Sequence, residues 1–225
     1  MARRLFGLTA AVVCTLMLAG PALACGGLIA PQGGIDLVRT STLAAYHDGI
    51  EHYITSFEFT GKGGGRFGSI VPLPGIPTDV VKGGDWTLER LFLEVQPPAP
   101  VADGFALEVA NRTSLDSAKV LLKTRVEALK ITVLEGGGDA VGKWAEEHGF
   151  LLPPDAPEVL DFYADRSPIF MAVRFDLEEA RERDLETGDG TPVHVTIPTP
   201  NPWVPLRILG LGKAPSEQID ADVYL

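Results

Sequence analysis

Hydrophobic and polar residues alternate with a period of two through much of the first third of the chain. In "TLAAYHDGIEHYITSFEFT", Tyr53, Thr55, Phe57 and Phe59 alternate with Ile54, Ser56 and Glu58, which is strand spacing. Two β-prone runs flank His47, Asp48 and Gly49. Asp-Gly is a strong signal for a tight hairpin turn, so a β-hairpin is predicted. The stretch "SIVPLPGIP" is extended as well, because Pro72, Pro74 and Pro77 bar a helix and confine any pairing to a sheet edge. Arg90 to Val95 reads as one more strand, closed by the rigid "QPPAP".

The pattern changes after Leu129. Before it, Ala106 to Ala110 is a short strand candidate, and periodicity does not decide between helix and strand for Leu115 to Arg125. "KITVLE" is then a compact apolar strand broken by three glycines. Asp139 is a candidate cap for a helix that carries Val141, Trp144 and Ala145 on one face and closes at Gly149. A second short helix follows, with Val159, Phe162 and Tyr163 at positions i, i+3 and i+4. "IFMAVRFD", "PVHVTIP", "PLRILGL" and "DADVYL" are predicted strands. The fold class expected is therefore α+β: mainly antiparallel sheet with a two-helix insertion packed on one face through Val141, Trp144, Val159 and Phe162. Residues 25–225 form one domain in this reading, with a β-rich part at 35–98 and a strand-helix-helix-strand part with C-terminal strands at 126–225. "DADVYL" still alternates at Leu225, which predicts that the natural domain continues beyond it.

Residues 1–24 read as an export signal. Arg3 and Arg4 precede an uncharged apolar core from Leu5 to Leu18, and Ala22-Leu23-Ala24 supplies the small-x-small pattern of a cleavage site. Cleavage after Ala24 leaves Cys25 first. A lipobox places its bulky aliphatic residue three positions before the cysteine, whereas Leu23 stands two before it. Plain secretion is therefore preferred, with acylation of Cys25 and lipid anchoring to the envelope as the alternative. The expected location is extracytoplasmic, either periplasmic or secreted, and the only membrane contact expected is through such a lipid. Of the two cysteines, Cys14 lies in the signal. Cys25 then stands alone and no intrachain disulfide can form.

The whole chain carries a formal net charge of −11, and losing Arg3 and Arg4 makes the remainder more acidic still. Such a charge repels nucleic acid and anionic lipid, so neither is an expected partner. The run "DLEEARERDLETGDG" holds seven acids against two arginines and reads as a solvated excursion.

"ACGG" directly after the signal, the Asp-Gly hairpin, "VPLPGIP", the block from Ile131 to Phe175 and the late "PLRILGLG" together resemble an exported bacterial family known as domain of unknown function 2330 (DUF2330). The resemblance covers most of the chain after the signal. It implies export and an α+β fold, and it brings no assigned reaction. The chain departs from the family pattern at Ala30, where a second cysteine is common, and at Ser167-Pro168, where a tryptophan is usual.

No catalytic constellation stands out. Gly63, Gly65 and Gly68 fit G-x-G-x-x-G, but extended, proline-broken sequence follows where a dinucleotide site needs a helix. "LEGGGDAVG" runs from strand into helix, yet lacks the G-K-[ST] ending and sets Asp139 where a phosphate would lie. Ser69 lies outside a G-x-S-x-G elbow, and Cys25 has no base held beside it. His148 suits a helix C-terminus, and His194 is predicted to point outward from its strand. No cofactor is expected. His47, Glu51 and His52 are the candidate metal ligands, gathered about the hairpin turn. Trp86 and Trp203, near Gly and Pro loops, are candidate partner contacts. The expected function is a non-enzymatic binding module that meets an unidentified protein or envelope partner through aromatics and rigid, exposed proline-rich loops such as "VPLPGIP" and "PTPNPWVP". The alternative is a metal-dependent extracytoplasmic hydrolase using His47, Glu51 and His52.

Overall fold

The computed structural model describes residues 28–29, 35–61, 66–95, 118–176, 190–213 and 217–225. The expected export signal with Cys25, the strand expected at Ala106 to Ala110, "QPPAP" and most of the acidic run lie outside the described residues.

Two five-stranded sheets stack on each other. Sheet A has the order β1-β4-β8-β7-β6, from β1 (Leu28–Ile29), β4 (Arg66–Leu73), β6 (Lys119–Val126), β7 (Leu129–Glu135) and β8 (Ile169–Asp176). Sheet B has the order β10-β2-β3-β9-β5, from β2 (Ile35–His47), β3 (Ile50–Gly61), β5 (Asp79–Lys82), β9 (Val193–Pro198) and β10 (Asp220–Tyr224). Every pairing is antiparallel except β10 with β2. Helices α1 (Asp85–Val95), α2 (Gly138–Glu147) and α3 (Ala156–Ala164) complete an α+β fold. The early part of the sequence, 35–98, supplies strands to both sheets, so it does not form a unit apart from 126–225.

The expected hairpin is β2–β3, closed by a two-residue turn. Asp48 and Gly49 both have positive φ, 49° and 78°, the backbone that matches the strand twist and that Asp-Gly adopts readily. Inward-facing residues of both sheets, including Tyr53, Val195 and Ile197 from B and Val71, Ile131 and Met171 from A, build one buried core. Sheet A alone carries a second core on its outer face. There Ile70, Leu134 and Phe170 meet Val141 and Ala145 of α2 and Val159, Leu160 and Tyr163 of α3. The two-helix insertion thus packs on one face, as expected. Trp144 and Phe162 border this core rather than lie within it. Phe162 lies beneath the guanidinium groups of Arg166 and Arg207, 3.6 and 4.4 Å from its ring centre.

Four local expectations are corrected. Arg90 to Val95 belongs to helix α1, where Leu88, Leu91, Phe92 and Val95 follow helical spacing. "PLRILGL" contains a 3₁₀ turn, Arg207–Gly210, instead of a strand. The N-cap of α2 is Gly137, with no side-chain cap bond of its own. The Asp161 carboxylate of α3 instead accepts from the backbone N–H groups of Gly138 and Asp139, a cap delivered from the neighbouring helix. Finally, "VPLPGIP" is not an exposed loop, because Val71, Pro72, Leu73 and Pro77 are buried and only Ile76 of the seven residues is exposed. The stretch left open, 115–125, ends in strand β6.

Leu160, fully buried between α3 and sheet A, makes a direct probe of this packing. Leu160→Ala is expected to cost about 2–5 kcal/mol in urea unfolding, with Trp144→Ala, half-exposed at the border, costing less. An equal or larger loss for Trp144→Ala would contradict this assignment of the core.

Candidate functional site

Strand alternation separates the expected metal ligands. Adjacent residues on β3 point to opposite faces, and Glu51 lies fully buried between the sheets while His52 lies on the outer face of sheet B. His47 stands at the exposed hairpin tip, where its Nε2 is 3.2 Å from Asp48. Among the described residues, no three His, Cys, Asp or Glu side chains form a metal-binding group. His47, Glu51 and His52 therefore do not face one point. His52 has a different partner: its Nδ1 is 3.1 Å from Nε2 of His194.

The two tryptophans differ as well. Trp86 is 68% exposed on α1, with the Arg90 guanidinium 5.9 Å from its ring centre. Trp203 is half-buried and stacks on Tyr163 at 5.5 Å, so it covers the end of the layers rather than presenting a contact face.

Two clefts deserve comparison. One of about 570 Å³ lies between α1 and the outer face of sheet B, and its lining mixes Arg39 with Glu58 and Glu89. The other, about 470 Å³, lies on the outer face of sheet A, and all its lining charges are cationic: Lys123, Arg125, Lys130 and Arg174.

The register explains this second groove. Arg125 stands opposite Lys130, which stands opposite Arg174. Three cations therefore form one cross-strand row at spacings of about 5 Å. Lys123, opposite Thr132, joins them one step along the same face. Like charges directly opposed across strands are destabilising. Lys130 is offset by Asp176, 2.9 Å away. Lys123 and Arg174 have no ion-pair partner among the described residues.

An aromatic wall closes one side, and local rules place it there. Helix α2 ends at His148, Gly149 takes φ 85°, and Gly149 and Phe150 donate to the carbonyls of Glu146 and Ala145. This is a Schellman ending, with its customary apolar contact between Phe150 and Trp144. The reversal lays the Phe150 ring on Gly68 of β4, where a Cβ would come within 2.5 Å of it. Trp144 stacks on His148 at 3.9 Å. His148 Nδ1–H donates to the Trp144 carbonyl at 2.7 Å. The arrangement offers charge, hydrogen-bond donors and flat apolar surface, which is the equipment for holding an anion, not for breaking a bond. Sequence reasoning missed all four cations; their only local mark is Arg174, a lone charge within the apolar run "IFMAVRF".

A two-sheet α+β protein with a cationic groove on one outer face is what the fold and site define. The chain belongs to the family described as "Uncharacterized protein conserved in bacteria (DUF2330)", whose model matches residues 19–224. No curated protein sequence matches it. Among solved structures, the crystal structure of baculovirus P35 is similar over 73% of this chain and 55% of that one, at 11% identity and a TM-score of 0.42. The chain thus spans about half of that protein's length.

Glu51 adds a titratable group inside the core. Burial pushes its carboxyl up to about 7, and the Trp203 backbone amide only partly opposes this. Among the described residues, both carboxylate oxygens lie outside hydrogen-bond geometry with any donor. Below pH 4.5 the group is protonated in folded and unfolded chains alike. Between 4.5 and about 7 the unfolded chain ionises first, so this residue's contribution to stability falls as pH rises through that window. Glu51→Gln is expected to remove the decline, making the variant more stable than the parent by about 2–4 kcal/mol at pH 8 but not at pH 4. Urea unfolding of both proteins at the two pH values checks it; equal stabilities at pH 8 would show that Glu51 is not desolvated.

Proposed function

We propose that this chain is an exported, non-enzymatic bacterial binding module, and that its groove on sheet A holds an anionic chain. The observation that carries this reading is the cross-strand row of Arg125, Lys130 and Arg174, with Lys123 beside it. In a chain of net charge −11, a patch of the opposite sign is a local feature and not a reflection of composition. A repeating anion with charges about 5 Å apart would match the strand spacing. It would also relieve the repulsion within the row, so binding and folding favour each other. Trp144, half-buried at the groove wall, provides the flat surface that a sugar ring or other planar apolar face can cover. A carboxylated polysaccharide of the cell exterior fits this chemistry. Nucleic acid fits less well, because the acidic remainder of the protein repels a long phosphate chain.

Export rests on the pattern of residues 1–24. Among the described residues no helix is long and apolar enough to cross a membrane.

Affinity electrophoresis through gels containing polygalacturonate, with neutral dextran as control, tests the groove. Retardation by the uronate alone is expected, weakening as salt rises and falling at least tenfold in Lys123→Glu/Arg174→Glu. Equal retardation in both gels, or none, would overturn the reading; so would preference for a single-stranded DNA oligomer. Intact-mass spectrometry of the native protein tests export. A mass for residues 25–225 is expected, added acyl mass would make it a lipoprotein, and retention of residues 1–24 would contradict cleavage.

A further inference from the structure

The pair His52–His194 is a second site, on the opposite side of the molecule from the groove. β3 and β9 run antiparallel with His52 opposite Thr196 and His194 opposite Ile54. The two histidines are therefore diagonal neighbours on the outer face of sheet B. Side chains on one face at this offset are within reach of each other. Their facing nitrogens, Nδ1 of His52 and Nε2 of His194, are 3.1 Å apart, and the rings are tilted by 43° with centroids 5.3 Å apart.

We propose that His52 and His194 form a two-imidazole binding site for a borderline divalent transition ion, Zn²⁺ or Cu²⁺, whose remaining positions are open to solvent or to a partner's donor. The geometry is suitable. Imidazole nitrogens sit about 2.0–2.1 Å from such an ion. Two of them spanning a 90–110° angle are then about 2.9–3.4 Å apart, which brackets the observed separation. Both histidines are half-exposed, so an ion can reach them. Imidazole suits Zn²⁺ and Cu²⁺, and Cu²⁺ lies above Zn²⁺ in affinity for a given nitrogen site.

In the unliganded pair one facing nitrogen donates its hydrogen to the other. Coordination needs lone pairs on both, so the donor ring loses that proton to solvent and is reprotonated on its far nitrogen. Neither ring ends with a net charge. Asp79, on the neighbouring edge strand β5 opposite Thr196, is the nearby anion that compensates the ion's charge.

This site differs from the one expected from sequence. Only His52 is common to both, because Glu51 faces the core and His47 stands at the hairpin tip. Two protein ligands leave the ion labile. That suits transfer of an ion, or its sharing with a partner, better than a fixed hydrolytic centre, which holds three protein ligands.

Isothermal titration of the chelator-stripped protein with ZnCl₂ and with CuCl₂ provides the test. About one ion per chain is expected, with Cu²⁺ the tighter. His52→Ala and His194→Ala should each weaken binding at least tenfold, whereas His47→Ala and Cys25→Ser should leave it unchanged. Far-UV circular dichroism confirms that each variant is folded. Long-range ¹⁵N NMR of the histidine rings gives an independent readout: Zn²⁺ should shift His52 Nδ1 and His194 Nε2. Absence of saturable binding below 1 mM, binding that survives both alanine variants, or binding lost in Cys25→Ser would each overturn the proposal. Because no groove residue is altered, its failure would leave the anion-binding reading standing, and the reverse holds too.

Discussion

Strand β8 is the element that the rest of the structure depends on, because it is buried on both faces. Ile169, Met171, Val173 and Phe175 enter the core between the sheets, while Phe170 and Ala172 lie beneath the two helices. Such a strand cannot alternate polar with apolar residues and must find cover on each side. Sheet B provides one cover and α2 with α3 the other. The antiparallel partners β4 and β7 obey the same rule, with Ile70 and Leu134 under the helices and Val71 and Val133 against sheet B. Removing either cover would expose one row of these side chains, so helices and sheets stand or fall together.

The groove follows from where that second cover stops. Helix α2 closes in the Schellman turn around Gly149, and Phe150 after it lies on Gly68, which stands opposite Arg174. Beyond that cover the same face of sheet A turns polar and then cationic: Arg174 follows Ala172 on β8, and Thr132 and then Lys130 follow Leu134 on β7. Phe150 marks the boundary: it belongs to the helical core through Gly68 and to the groove wall through Trp144. Like charges set opposite one another gain nothing from the arrangement, and the ion pair with Asp176 offsets the central one, Lys130. Lys123 and Arg174 are the members of the patch with no ion pair among the described residues, which is the feature the proposed anionic ligand accounts for.

How much of this the sequence showed depends on the range of the interactions involved. The Asp48-Gly49 hairpin and the α2–α3 pair were legible, since turn chemistry and i, i+3, i+4 stripes are local signals. Helix α1 differs from the strand expected there because its apolar period, Leu88, Leu91, Phe92 and Val95, begins before Arg90. "VPLPGIP" was taken for an exposed loop because its prolines suggest one. Yet Pro72 stands where β4 pairs only with β8 among the described residues, a position needing no second ladder, and tertiary packing buries it. The groove was hidden for a different reason. Lys123 and Arg174 are 51 positions apart, and only the register of three strands makes them neighbours.

The β2–β3 hairpin shows the same point at the scale of one peptide bond. Glu51 and His52 are consecutive, and sequence reasoning joined them as ligands of one ion. Period-two alternation sends one into the core and the other to the outer face, so each is governed by a different environment. Burial makes the carboxyl hard to ionise. The imidazole meets its partner from β9 instead. Two titratable groups about 3.8 Å apart along the chain thus answer to opposite sides of a sheet. A change at one can reach the other only through the strand between them. Proximity in sequence was the wrong measure for this hairpin; the face of the sheet is the right one.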